Sequence, residues 1–290
     1  MEYRTDPFAA QLGIAFSRQT DTGIITTAVI SEKHLNPYKI AHGGVAYTLG
    51  CVTAQWSAAV CRDREMEVSA VSSQYLAPLG LGPAECESRL LFADKGHCTY
   101  EVSVRDGNGR LCFSQLVMLQ PRETEKTVNR NFPRTIFPAS EDVLPNPITG
   151  LRFPMQSPGP FCDMTQIYIL DCGLDITTVG ADILPKTSDD RGAAHCGLVY
   201  TCCDTGVGVA SSLRGSLAVT VSSAMKYFRP AEVGPVRVTV QSVRAGHTIL
   251  YYLVTAEDGT GTPVAAGQFC LHPKQELNGL AEEIMNECKS

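Results

Sequence analysis

The stretch GLVYTCCDTGVGVASSL, residues 197–213, is apolar throughout and carries a single charged residue, Asp204. A carboxylate among Val, Cys and Gly is costly to bury unpaired. Such a group ordinarily has a partner, a shifted pKa and a chemical task; the plain alternative is a helix that emerges at the surface there. Earlier in the chain, His42-Gly43-Gly44 precedes a second apolar stretch, Val45 to Cys61. Glycines at a helix start leave backbone N–H groups pointing outward, with the positive end of the helix dipole behind them. Donors fixed in that way suit a developing oxyanion. A glycine turn capped by a histidine is the alternative.

These two patterns belong to one internal repeat. NPYKIAHGGVAYTLGC (36–51) aligns with DDRGAAHCGLVYTCCD (189–204), and His195 follows His42 by 195 − 42 = 153 residues. The same offset carries Pro7-Phe8 onto Pro160-Phe161, and one residue less carries Tyr75 and Pro78 onto Tyr227 and Pro230. Gly96-His97 then matches Gly246-His247, and the DGNG at Asp106 matches the DGTG at Asp258. Landmarks in one order along both halves mark a fused duplication. The expected organisation is a first repeat over 1–121, a Pro-rich polar linker over 122–154 and a second repeat over 155–290. Each repeat offers one helix, apolar on nearly every face and therefore buried on all sides. Strand-like runs broken at Asp-Gly turns follow, which is a hairpin signal. The predicted class is α+β, a curled antiparallel sheet wrapping one helix, twice over.

Composition narrows the chemistry. The chain has 290 residues, 44% of them hydrophobic and 19% charged, and a formal net charge of −6. That balance argues against a nucleic-acid partner, which needs a basic face, and against an anionic membrane surface. No apolar run approaches the length of a membrane span, and the start shows no signal-peptide pattern, so a cytoplasmic protein is expected. The 12 Cys then read as reduced thiols, and their spacing matches no zinc pattern, so neither a metal nor a cofactor is expected. A catalytic role for Cys51 is disfavoured, because desolvation in an apolar helix opposes its thiolate.

Asp204 lies seven residues beyond Gly197, roughly 10 Å along its own helix at 1.5 Å per residue. It cannot easily serve the donors at that helix's start. If the two central helices pack antiparallel about a pseudo-twofold axis, Asp204 instead opposes His42-Gly43.

Asn36, six residues before His42-Gly43-Gly44, followed by this helix and a strand into Tyr-x-x-Pro, resembles the hotdog thioesterases of the phenylacetate-degradation type. The opening DPFAAQLGIAF is similar to that family's usual start. The resemblance implies paired hotdog units with sites at their interface. One unit supplies Asn and the HGG turn; the other supplies an acid within the helix and a hydroxyl on the following strand. It also implies an acyl-CoA substrate and further homo-oligomerisation of the fused pair.

Carried over residue by residue, the first repeat retains Asn36, His42, Gly43 and Gly44 but has Cys51 at the acid position and Val68 at the hydroxyl position. The second retains Asp204 and Thr220 but has Asp189 for Asn and His195-Cys196-Gly197 for the glycine turn. The losses are complementary. One composite site, Asn36, His42 and Gly43 with Asp204 and Thr220, keeps every element; the other, with Asp189, His195, Cys196, Cys51 and Val68, keeps almost none. The expected activity is thioester hydrolysis at the intact site. Gly44, Lys39 and Lys226 are candidate substrate contacts, with Arg191 a further basic candidate, and Tyr47, Trp56 and Tyr200 are candidates for bounding an acyl pocket, although such residues are more often plain core. A hotdog hydratase and a non-catalytic acyl-CoA binding protein are the alternatives.

Overall fold

A computed structural model describes residues 6–122, 159–214 and 218–273. Each half repeats one element order. In the first, α1 (Pro7–Gln11) leads into β1 (Ala15–Gln19), β2 (Ile24–Ile30), the long helix α2 (Gly43–Arg62), β3 (Met66–Tyr75), β4 (Gly82–Ala93), β5 (Cys98–Asp106) and β6 (Leu111–Pro121). In the second, α3 (Pro160–Thr165) leads into β7 (Ile167–Cys172), β8 (Ile176–Ala181), α4 (Cys196–Ser212), β9 (Ala218–Tyr227), β10 (Val236–Ala245), β11 (Leu250–Glu257) and β12 (Pro263–Pro273). The Asp-Gly turns at Asp106 and Asp258 close the β5–β6 and β11–β12 hairpins.

The strands form one antiparallel sheet in the order β1-β2-β4-β5-β6-β3-β9-β12-β11-β10-β8-β7, so the second half repeats the first in reverse. The halves join through β3 and β9, where Ser72 stands opposite Ala224. Those two residues are equivalent positions of the repeat, so the pseudo-twofold axis passes through their pair. The helices α2 and α4 pack against each other. Buried Thr48 and Thr53 donate to Gly44 O and Leu49 O within α2, so their hydroxyls are satisfied inside the helix.

The helices cross closely because each begins with a glycine facing a threonine of the other. A Cβ on Gly44 would collide with Thr201, and one on Gly197 with Thr48. On the axis itself Tyr47 and Tyr200, both fully buried, stack with ring centroids 3.5 Å apart. These tyrosines fill the centre of the molecule, in keeping with the plain-core reading of the pair.

Arg122, the first residue of the expected linker, is held by an ion pair to Asp190 at 2.8 Å. Residues 123–154 of that segment lie outside the described residues.

Candidate active site

The turn before α2 is built by Asn36. Its Oδ1 accepts from Tyr38 N at 2.9 Å and from Ile40 N at 3.4 Å. In the second half Asp189 Oδ1 accepts in the same way from Arg191 N and Ala193 N, at 2.9 and 3.0 Å. The exchange of Asn for Asp therefore preserves the turn, and Asp189 is no structural loss. Asn36 acts through the loop rather than by touching Asp204.

His42 is the N-cap of α2. Its Nδ1 accepts from Gly44 N at 3.1 Å, which fixes the proton on Nε2, 3.2 Å from Thr205 Oγ1. Burial pushes the imidazole's pKa down against the pull of Asp204, keeping the ring neutral. The hydrogen bond from Gly44 N corrects one expectation, because that N–H is already taken and cannot serve substrate. Gly43 N–H, at the first helical position, has no carbonyl within the helix to receive it.

Asp204 reaches this turn from the other repeat. Its Oδ2 lies 3.4 Å from His42 Nδ1 and would stand 2.6 Å from a Cβ built on Gly43. Its Oδ1 accepts from Thr220 Oγ1 at 2.8 Å. Thr220 can do this because β9 bulges against β12 between Thr220 and Ser222. Thr220 and Ser223, three apart, thus both face α4, where Ser223 bonds Tyr200 Oη at 2.8 Å; bulges re-aim side chains in this manner. Burial pushes the Asp204 carboxyl pKa up, and His42 and the Thr220 hydrogen bond restrain it.

Two tyrosines complete the site. Tyr75 Oη donates to Gly43 O at 3.0 Å and meets Tyr200 Oη at 2.8 Å. In the sequence Tyr75 is legible only as a landmark of the repeat. Its recurrence as Tyr227, which donates to Cys196 O at 3.1 Å and meets Tyr47 Oη at 2.9 Å, was the signal that the tyrosine supports the turn. Thr205, next to Asp204, was not foreseen; its counterpart is Val52, so it belongs to this site alone.

The candidate lysines stand apart. Lys39 is exposed at the apex of the turn with φ 59°, where the second repeat has Gly192. Lys226 is exposed on β9 between Met225 and Tyr227, and the alternation of the pleat turns it to the outer face of the sheet, away from Asp204. The structure therefore corrects Lys226 as a contact for a substrate bound at the helix interface.

The second pseudo-site has Val68, His195 and Cys196 around a cleft that Asp189 and Arg191 also line, with Cys51 fully buried against Cys196. Arg191 pairs with Glu67 at 3.2 Å there. Among the described residues no group of His, Cys, Asp and Glu is arranged to hold a metal ion, and no helix is long and apolar enough to cross a membrane.

Against known proteins, residues 191–265 match the family model of the thioesterase superfamily. A conserved hot dog fold protein from Alicyclobacillus acidocaldarius superposes with a TM-score of 0.65 at 16% identity, covering 93% of this chain and 98% of its own. The chain is a double hotdog. An acyl-CoA thioesterase II of Mycobacterium marinum shares that fold at 14% identity and TM-score 0.62, over 92% of this chain and 98% of its own. The tesB protein of Mycobacterium avium subspecies paratuberculosis does so at 13% identity and TM-score 0.60, over 92% and 98%. No curated protein matches the sequence.

Proposed function

We propose that this double hotdog hydrolyses an acyl-CoA thioester at one composite site, with Asp204 as the acid and the start of α2 as the polarising group. The observation that carries the proposal is the approach of Asp204 Oδ2 to Gly43 and His42 Nδ1 across the repeat boundary. A nearly buried carboxylate next to an unclaimed helix-start N–H brings a base and an electrophilic donor together. The thioester carbonyl accepts from Gly43 N–H. Asp204 takes a proton from water as the water oxygen attacks the carbonyl carbon, and the CoA thiolate leaves. The route through an anhydride on Asp204 uses the same geometry; single turnover in heavy-oxygen water separates the two, since only the anhydride route labels the Asp204 carboxyl.

Thr220 holds Oδ1 so that Oδ2 faces the turn, and Tyr75 holds the Gly43 peptide through its carbonyl. A hydratase would need an imidazole free to move a proton. His42 has Nδ1 committed to Gly44 N and Nε2 to Thr205, which favours hydrolysis. The matched thioesterase superfamily pattern and the names of the structural neighbours support the same class.

The experiment is CoA release from a panel of acyl-CoAs by the wild type and by Asp204→Asn. The expected result is release by the wild type and a loss of roughly 10²–10⁴-fold in the variant. Undiminished turnover of every accepted thioester by Asp204→Asn would overturn the reading.

A further inference from the structure

The pseudo-site has lost the hydrolytic groups and gained others. Cys196 stands where the first repeat has Gly43, and Cys51 where the second has Asp204. The two thiols are near enough to perturb each other's ionisation. His195 Nδ1 lies 3.9 Å from Cys196 Sγ, and its Nε2 lies 3.0 Å from Asp6 Oδ2, off the line of a good hydrogen bond. That carboxylate is peculiar to this site, because the counterpart of Asp6 is Gly159. Cys196 is half-buried and lines the cleft, whereas Cys51 is fully buried behind it.

The intact site measures the separation. A Cβ built on Gly43 would lie 3.2 Å from Asp204 Cγ, the position that a cysteine sulfur takes. A disulfide needs about 3 Å between one sulfur and the other residue's Cβ, given an S–S bond of about 2.05 Å and Cβ atoms about 3.8 Å apart. Cys51 and Cys196 occupy the equivalent pair of positions across the pseudo-twofold axis. The close approach of these positions at the intact site favours a bond between the two sulfurs.

We propose that Cys196 is a hydroperoxide-reactive thiol and that Cys51 resolves it, making the pseudo-site a dithiol–disulfide centre. The Cys196 thiolate attacks one peroxide oxygen; the O–O bond breaks, giving a sulfenic acid and hydroxide. Cys51 sulfur then attacks the Cys196 sulfur, and the hydroxyl leaves as water with the Cys51 proton. The two sulfurs give up two electrons in total, which reduce the peroxide to water.

The surroundings favour this division of labour. Cys196 opens α4, where backbone N–H groups stabilise a thiolate. The neighbouring Cys51 thiol lowers the Cys196 pKa to about 6 against burial, with help from His195. The groups facing it are Cys51 and Tyr47 from α2, Tyr227 from β9, His195 before α4 and Asp6 before α1. Burial pushes the Cys51 thiol up, so it keeps the proton that departs with water.

The test is treatment of the reduced protein with hydrogen peroxide, followed by peptide mapping without reductant. A Cys51–Cys196 cross-link is expected ahead of modification at exposed Cys61. Cys51→Ser should stop at a sulfenic acid trapped on Cys196, and Cys196→Ser should leave Cys51 reduced. Alkylation of wild-type Cys196, which needs no variant, should show a midpoint near 6 in place of the ordinary value of about 8.5. Cys196 reacting no faster than Cys61 with peroxide, a cross-link to a different cysteine, or an ordinary alkylation midpoint overturns the proposal. Acyl-CoA hydrolysis measured on the same reduced sample reports separately on the first site.

Discussion

The Oδ2 of Asp204 comes so near Gly43 that a single added carbon on the glycine would lie 2.6 Å from it. The two residues are 161 apart in sequence (204 − 43 = 161) and belong to different repeats. Gly43 is therefore glycine for reasons of approach and not of backbone freedom. Gly43→Ala should displace the carboxylate and lower CoA release by at least about 10²-fold, since small displacements of a reacting group carry losses of that order. In an Asp204→Ala background the collision with the carboxylate is gone and only Tyr75 Oη, 3.0 Å from the added carbon, remains, so the same change should then cost less in Tm. Equal Tm losses in the two backgrounds would show that the carboxylate is not what occupies that space.

The raised pKa of Asp204 has opposite consequences for activity and for stability. Hydrolysis needs the ionised carboxylate, so kcat should fall as pH drops through a value above the ordinary carboxylate pKa of 3.8. Because the folded state holds the proton more tightly than the unfolded chain, this group favours folding at low pH and opposes it once pH rises past both values. Asp204→Asn removes that opposition while leaving an amide to pair with Thr220. At neutral pH the variant should be more stable by about 1 kcal/mol, or roughly 2–4 °C in Tm. Thermal melts at neutral and acidic pH check it: the advantage should vanish in acid.

Thr220→Val tests the orientation of the carboxylate with little change of shape. The lost hydrogen bond had lowered the Asp204 pKa, so the acid limb of the pH–kcat profile should move to higher pH. An effect of about tenfold on kcat is expected, in line with a net loss of 1.5–3 kcal/mol for a hydrogen bond to a charged group that is partly regained at high pH. An unchanged limb would mean that Thr220 does not hold the reacting carboxylate.

The fold was legible because the chain can be compared with itself. Helices expected over Val45–Cys61 and within 197–213 form as α2 and α4, since side chains apolar on every face have only the interior to occupy. The meeting of Asp204 with His42-Gly43 followed from helix rise and an assumed antiparallel pairing. What escaped were contacts made by groups whose type is ordinary. Thr205 behind His42, Asp6 behind His195 and the tyrosine pairs are set by the crossing of two helices over a curled sheet, and no sequence spacing encodes that crossing. Gly44 was misread because a histidine in the sequence does not disclose which N–H its ring will accept. Lys226 is exposed as expected, and the bulge in β9, which changes the parity of the strand between Thr220 and Ser223, turns it to the outer face.

The asymmetry between the sites should be reversible. Cys196→Gly, Cys51→Asp and Val68→Thr together recreate at the second site the acid, the hydroxyl and the open helix start of the first, on a turn that Asp189 already builds as Asn36 does. The order of importance follows from the geometry: without glycine at 196 the new carboxylate would meet the Cys196 side chain where Gly43 leaves space for Asp204. Asp6 remains 3.0 Å from His195 and would put a second carboxylate in the site, raising the pKa of the new acid. Placed in the inactive Asp204→Asn background, the triple change should restore measurable CoA release with a pH–rate profile shifted to higher pH than the wild type's. Adding Asp6→Asn should move that profile back down. Failure of the triple variant, shown to be folded by its melt, to exceed Asp204→Asn alone would mean that acid, hydroxyl, open helix start and turn are not sufficient for the site.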